Sequence, residues 1–229
     1  MSSVVAFDMD GTLIDSAADI GAAANRMRAS FGLKPLPRGA VVRMVGNGAR
    51  VLVARATADA PGLDQDEAFR RYRHEYDTHL IDETRLYPGV PERLEALKAA
   101  GFRLAVFTNK PHRSTLFILK GLGIDAFFPV VVGADSGFPL KPAPDALLHI
   151  LEATGTDAAG SWMVGDNWTD IDSGRAAGFR TAYCSYGYGA PDKFQPDAVC
   201  ADFEAVKRTI LDTAKTDDFG CKKQKIKEK

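Results

Sequence analysis

The sequence predicts an α/β protein with a doubly wound parallel sheet, and three observations predict it. From Tyr87-Pro88-Gly89 onward, helical stretches, single glycines and short apolar runs alternate in series. That grammar belongs to parallel crossovers with helices on both faces of a sheet. The candidate strands also end in polar clusters, and open α/β sheets bind their ligands at the carboxyl ends of the strands. Finally, residues 16–84 carry helical periodicity and little strand signal, so they read as a small helical unit inserted after the first strand.

Val4-Val5-Ala6-Phe7 is a buried strand by composition, followed by Asp8-Met9-Asp10-Gly11-Thr12. In the insert, Ile20, Ala23, Ala24, Met27 and Phe31 form one apolar stripe at helical spacing, and Phe69, Tyr72, Tyr76 and Leu80 form another. Val51-Leu52-Val53-Ala54 lies in a third helix behind Gly46-Asn47-Gly48. Asp64 or Asp66 is placed to cap the helix that holds Phe69. Beyond Tyr87, strands are expected at 104–107, 129–132, 162–164 and 181–184. Gly101, Gly123, Gly155 and Gly178 stand where the intervening helices need a left-handed terminal residue. The resulting core is Rossmann-like in the sense of an open, doubly wound sheet. Its expected extent is 1–15 and 85–215, with 16–84 as the inserted helical domain and 216–229 as a basic, disordered tail.

Composition excludes several classes. The chain has 229 residues, 45% of them hydrophobic and 26% charged, with a formal net charge of −1. Such a balance gives no global field for nucleic acid or an anionic membrane. No apolar run approaches the ~20 residues of a membrane helix, and no basic leader precedes the first strand. The three cysteines, Cys184, Cys200 and Cys221, lack metal-ligand spacing and read as free thiols, which points to a reducing, cytoplasmic setting. A monomer or a homodimer is expected, with neither nucleic acid nor membrane as partner.

The strand ends carry the chemistry. Asp8 and Asp10 alternate twice along an extended chain and so share a side; two like charges there call for a cation. The next strand end supplies Thr108, Asn109 and Lys110, the loop after the third supplies Lys141 between Leu140 and Pro142, and the fourth supplies Gly165-Asp166 and Asp170. Carboxylates, a hydroxyl and a lysine together suit phosphoryl transfer through an aspartyl-phosphate. A carboxylate nucleophile splits one hard step into two, a second carboxyl moves the proton, and magnesium takes hard oxygen ligands.

Asp8-Met9-Asp10-Gly11-Thr12, Thr108, Lys141 and Gly165-Asp166 with Asp170 stand in the order of the four motifs of the haloacid dehalogenase superfamily, which the sequence therefore resembles. The insert resembles that superfamily's C1-type cap. Val45-Gly46-Asn47-Gly48-Ala49-Arg50, Thr108-Asn109-Lys110-Pro111, Tyr186-Gly187-Tyr188 and Gln195-Pro196-Asp197 resemble the bacterial phosphoglycolate phosphatases. The resemblance implies that Asp8 is nucleophile and magnesium ligand. It implies that Asp10 is general acid then base, with its carbonyl on the metal. Thr108 and the amides near Gly11 and Asn109 would hold phosphoryl oxygens, with Lys141 offsetting charge. Asp166 would bind magnesium, with Asp170 doing so directly or by orienting the others. Asp15 would mark the hinge or cap the next helix. On the insert, Gly46, Asn47 and Arg50, with Arg43 as an alternative, are the candidates for reading the leaving group. The implied activity is hydrolysis of a small phosphomonoester, foremost 2-phosphoglycolate. Other phosphatases of this build (for pyrophosphate, a nucleotide or a sugar phosphate) and a β-phosphoglucomutase-like mutase remain alternatives.

Overall fold

The computed structural model describes residues 2–227. In chain order the elements are β1 (Val4–Phe7), β2 (Ile14–Asp15), α1 (Ala17–Ala29), α2 (Arg38–Val42), α3 (Ala49–Ala56), α4 (Gln65–Asp77) and β3 (Arg85–Leu86). There follow α5 (Val90–Ala99), β4 (Arg103–Phe107), α6 (His112–Gly121), β5 (Val130–Val132), α7 (Asp145–Thr154) and β6 (Trp162–Gly165). The chain continues through α8 (Trp168–Ala176), β7 (Arg180–Cys184), β8 (Ala198–Cys200) and α9 (Phe203–Lys227).

Six strands form one parallel sheet in the order β5-β4-β1-β6-β7-β8. The expected doubly wound α/β core is therefore present. β1 lies at the switch point, between β4 on one side and β6 on the other, with Phe7 opposite both Val106 and Val164. Because strand side chains alternate, β1 feeds two apolar layers. Val5 and Phe7 join the layer that takes Leu94 and Leu97 of α5 and Phe203, Val206 and Ile210 of α9. Val4 and Ala6 join the opposite layer, with Ala146, Leu147 and Ile150 of α7. The Phe7 ring packs against Phe128 and Phe203, with centroids 6.2 and 5.7 Å away. All four β1 residues are fully buried, as a central parallel strand requires.

The anticipated helix-glycine-strand units are present. Gly101, Gly123, Gly155 and Gly178 have φ between 62° and 92°, a region where a side chain clashes with the backbone. The helices α1–α4 fall within residues 16–84 and leave the sheet by β2 and return by β3, which pair antiparallel with Asp15 opposite Arg85. Their inner faces, including Ile20, Met27, Leu52, Tyr72 and Tyr76, are buried. Asp64, not Asp66, caps α4, accepting from the N–H groups of Asp66 and Glu67 at 2.9 and 3.2 Å. Phe31 lies beyond the end of α1 and is covered by the Arg71 guanidinium, 4.1 Å from its ring centroid.

Sequence pattern did not disclose β2 or β3, which at two residues are too short to show a period, nor β8, whose Ala198-Val199-Cys200 lacks the β-branched run that marks the equally short β5. Nor did it disclose α9. The tail expected to be disordered from 216 continues that helix through Lys227; Glu228 and Lys229 lie outside the described residues. Asp217 is held by Arg180 at 2.7 Å, which ties the helix back to β7. No helix among the described residues is long and apolar enough to cross a membrane.

The junction between sheet and insert is fixed by Asp19. Its buried carboxylate accepts from the N–H of Glu83 at 3.0 Å, from the N–H of Thr84 at 2.9 Å and from the Thr84 hydroxyl at 2.7 Å. Asp19→Ala strands these donors, and buried unsatisfied groups are expensive. Stability is expected to fall by about 2–4 kcal/mol, read as a lower urea midpoint at unchanged slope; a midpoint equal to wild type would refute the anchoring role.

Candidate active site

The carboxyl ends of β1, β4 and β6 bring together the groups expected there. Asp8 leaves β1 with its N–H bonded to Val164 O at 2.8 Å, so the sheet ladder itself sets where its carboxylate emerges. Asp170 sits in the first turn of α8, where its Oδ2 accepts the Asn167 N–H at 2.9 Å as half of a capping box. Between them stands Lys141. Its Nζ lies 2.8 Å from Asp8 Oδ1 and 2.6 Å from Asp170 Oδ1. The loop carrying Lys141 is braced by Asn109, whose Oδ1 accepts the Lys141 N–H at 2.9 Å and whose Nδ2 donates to Gly46 O at 3.2 Å. Asp166, at the end of β6, accepts from the N–H groups of Tyr188 and Gly189 at 2.6 and 3.0 Å. Oxygens of Asp8, Asp166 and Asp170 all lie within 4.8 Å of one another.

Close approach of backbone makes this clustering possible. A Cβ on Gly11, whose φ is +83°, would fall 2.2 Å from Asp166 Oδ2, and one on Gly187 would fall 2.3 Å from the Asp166 Cβ. Glycine is the one residue that fits at either point. The N–H of Gly11 donates to Ile14 O at 2.9 Å. By contrast, the N–H groups of Met9, Asp10 and Asn109 meet no acceptor among the described residues. With the Thr108 hydroxyl they form a set of donors beside Asp8.

The charge balance is unfavourable without a further cation. Among the described residues, Asp8, Asp10 and Asp170 pair with only two cations, Lys110 and Lys141, Asp166 pairs with none, and all but Asp10 are almost fully buried. Burial pushes the Asp166 carboxyl well above the usual carboxylate range, and the charges of Asp8 and Asp170 add to that. Burial likewise pushes Asp170 up to about 6, with Lys141 working against the rise and Asp8 adding to it. Burial alone would lower the Lys141 ammonium, but Asp170 and Asp8 outweigh it and hold its pKa above the ordinary lysine value. Two uncompensated negative charges on hard oxygen donors are what a divalent cation neutralises. The residues present thus fit a magnesium-like ion at Asp8, Asp166 and Asp170.

Asp10 stands apart from that cluster. Its Oδ1 accepts from the Ser16 hydroxyl at 2.5 Å and its Oδ2 lies 3.0 Å from Lys110 Nζ. A pocket opens beside it, between the strand ends and the insert, with Asp8, Thr108 and Lys110 on the core side and Ile20, Leu52, Tyr72 and Tyr76 on the insert side. Gly46 lines this pocket, as the sequence suggested. Asn47 and Arg50 do not. The Asn47 amide oxygen is bonded to Arg55 at 3.1 Å. Arg50 is exposed, paired to Asp66 at 2.7 Å and laid over the Phe69 ring at 4.3 Å. Arg43 is exposed as well. Helical register decides this, because α3 turns its apolar side, not its arginine, to the pocket. Asp15 precedes Ser16, the N-cap of α1, and accepts the Ala17 N–H at 3.2 Å and the Tyr188 hydroxyl at 2.6 Å.

Several groups at the site carried no assigned role from sequence. Lys110 was visible only as a cation beside Thr108. Tyr76 belongs by spacing to an apolar stripe, and its hydroxyl is the one signal in the sequence that it does more. Tyr188 and Gly189 reach Asp166 through main-chain N–H groups, which no residue type announces.

Comparison with known proteins agrees with this geometry. The family model for haloacid dehalogenase-like hydrolases matches residues 5–184. The chain is 40% identical over 190 residues to a phosphoglycolate phosphatase of Neisseria meningitidis, covering 81% of each chain. It is 34% identical over 218 residues to one of Agrobacterium fabrum, covering 93% of this chain and 94% of the relative. The solved structure of a predicted phosphoglycolate phosphatase from Haemophilus somnus superposes with a TM-score of 0.85 at 33% identity, over 91% of this chain and 97% of that one. With motifs, fold and relatives all in accord, the chain belongs to the haloacid dehalogenase-like hydrolases.

Proposed function

We propose that this protein is a magnesium-dependent phosphatase that cleaves a small phosphomonoester through an aspartyl-phosphate, with 2-phosphoglycolate as its substrate. The observation that carries the reading is the Lys141 bridge between Asp8 and Asp170, with Asp166 beside it and Thr108 and Asp10 on the same pocket. The names of the relatives support the choice of substrate.

Asp8 attacks phosphorus, forming the acyl-phosphate O–P bond as the bond to the leaving oxygen breaks. Asp10, held by Ser16 and Lys110, gives its proton to that oxygen. In the second step water attacks phosphorus, its proton passes to Asp10, and the Asp8–phosphorus bond breaks to release phosphate. Throughout, the Thr108 hydroxyl and the N–H groups of Met9, Asp10 and Asn109 hold phosphoryl oxygens, and Lys141 keeps Asp8 oriented while offsetting charge. Asp8, Asp166 and Asp170, with the main-chain carbonyl of Asp10, would hold magnesium. When bound, the ion neutralises charge on the phosphoryl oxygens. The insert acts as a cap that covers the pocket and keeps bulk water from the acyl-phosphate until the leaving group departs.

Asp8→Asn removes the nucleophile without changing the side chain's size. Release of phosphate from 2-phosphoglycolate is expected to fall at least about 10³-fold, and residual turnover near wild type would exclude the aspartyl-phosphate. A panel of 2-phosphoglycolate, pyrophosphate, nucleoside monophosphates and hexose phosphates tests the substrate. A clear lead for 2-phosphoglycolate is expected, and another leader would displace it. Magnesium binding should raise the melting temperature of wild type and leave Asp166→Asn unmoved, because only the folded state assembles the three carboxylates. Equal shifts in the two proteins would place the ion elsewhere.

A further inference from the structure

Resting on the phosphatase reading, we propose that the Lys110 ammonium and the Tyr76 phenol together form the subsite for a carboxylate on the leaving group. The arginines expected to do this from sequence stand elsewhere: Arg50 is paired with Asp66, and Arg43 is exposed and does not line the pocket.

The Lys110 side chain is 4% exposed, and its Nζ is accounted for by two partners. It lies 3.0 Å from Asp10 Oδ2 and donates to the Tyr76 hydroxyl at 2.5 Å, with the Tyr76 ring centroid 4.5 Å away. An ammonium carries three donors, so one N–H remains. The Tyr76 oxygen accepts from Lys110, and its own proton meets no acceptor among the described residues. Both residues line the pocket. The pocket therefore presents two unspent donors, one of them cationic, side by side on a buried wall. A carboxylate has two oxygens to receive them, and hydrogen bonds to ionised groups are the strong kind.

Position narrows the ligand further. In 2-phosphoglycolate the carboxylate is separated from the bridging oxygen by a single methylene. A group that binds this carboxylate must stand next to the acid that protonates the bridging oxygen. Lys110 is in contact with Asp10, the proposed acid, and so meets this condition. The anionic groups of longer substrates would lie beyond its reach, and Ile20, Val45 and Leu52 give the rest of the pocket wall an apolar character. Tyr76 belongs to α4 and Lys110 to the sheet side, so the subsite is complete only with the insert in place. Tyr76 is held by a parallel stack on Tyr72, with centroids 5.9 Å apart and planes 7° apart. Recognition of the carboxylate and closure over the phosphoryl group are then one event.

Two ligands that cannot be hydrolysed test the subsite on the full-length protein with magnesium present. 3-Sulfopropanoate carries a sulfonate in place of phosphate and a methylene in place of the bridging oxygen, and it keeps the carboxylate at the same distance; propane-1-sulfonate lacks the carboxylate. Titration calorimetry is expected to show wild type binding 3-sulfopropanoate about 100-fold more tightly than propane-1-sulfonate. In Tyr76→Phe, which keeps the ring on Tyr72, the ratio of the two affinities should fall about tenfold. In Lys110→Met it should approach one. A wild-type ratio near one, or a ratio that neither substitution changes, would overturn the proposal, since a purely structural role would weaken both ligands alike. Turnover of the substrate panel is read in parallel. If the affinity ratios behave as expected but a phosphate without a carboxylate is turned over best, the substrate reading fails and the carboxylate subsite stands.

Discussion

The bridge from Lys141 Nζ to Asp8 and Asp170 is the interaction on which the rest of the site depends. Four carboxylates converge at the ends of β1 and β6, three of them almost wholly out of water. Unpaired, such a cluster would be driven to bind protons. The buried ammonium holds Asp8 and Asp170 in a fixed relation, and its own charge is secured by both of them. Breaking a buried pair leaves an uncompensated charge, which is why such a lysine is not exchangeable for a surface one. The brace from Asn109 to the Lys141 main chain extends the same constraint to the Gly46 turn of the insert.

The fold serves this arrangement by bringing backbone unusually close to the acids. Gly11 and Gly187 pack their backbone against the Asp166 side chain, and two main-chain N–H groups from the loop after β7 bond its carboxylate. Central position in a parallel sheet gives β1 hydrogen-bonded neighbours on both sides, so Asp8 emerges from a strand held along both edges. The insert is tied to that rigid frame at its base. Asp19 grips the returning chain at Glu83 and Thr84, and the Tyr188 hydroxyl accepts the Ser16 N–H at 2.6 Å while donating to Asp15. Ser16 in turn bonds Asp10, which makes the base of the insert continuous with the site.

Charge at the pocket is divided between its two sides. The core presents Asp8, Asp10 and Lys110, whereas the insert presents chiefly apolar and aromatic surface, with Tyr76 as a polar point. Arg73 also lines the pocket, but its Nε and one terminal nitrogen are bonded to Asp77 at 3.2 and 2.9 Å. An apolar wall over a charged floor strengthens the electrostatics of the floor by lowering the local dielectric.

The α/β class, five of the six strands of the parallel sheet and the strand-end acids, threonine and lysine were legible in the sequence. Each rests on a local signal: β-rich apolar runs, glycines after helices, and polar residues at fixed offsets behind them. The two-residue β2 and β3 have no period to read, β8 lacks a β-branched run, and α9, whose Phe203, Val206 and Ile210 join the core, ends in a lysine-rich stretch that masked it. Partnership was invisible for the same reason that it matters, since it joins residues far apart in the chain. Lys110 and Tyr76 are separated by 34 positions and Tyr188 and Asp15 by 173. The direction of Arg50 depended on how α3 rotates against α4. The sequence by itself determined which chemical groups stand at the strand ends, because strand alternation and glycine turns are local properties. Only the tertiary structure decided which of them touch, which acid joins the three-carboxylate cluster and which pairs with Lys110, because those choices are made by packing between distant segments.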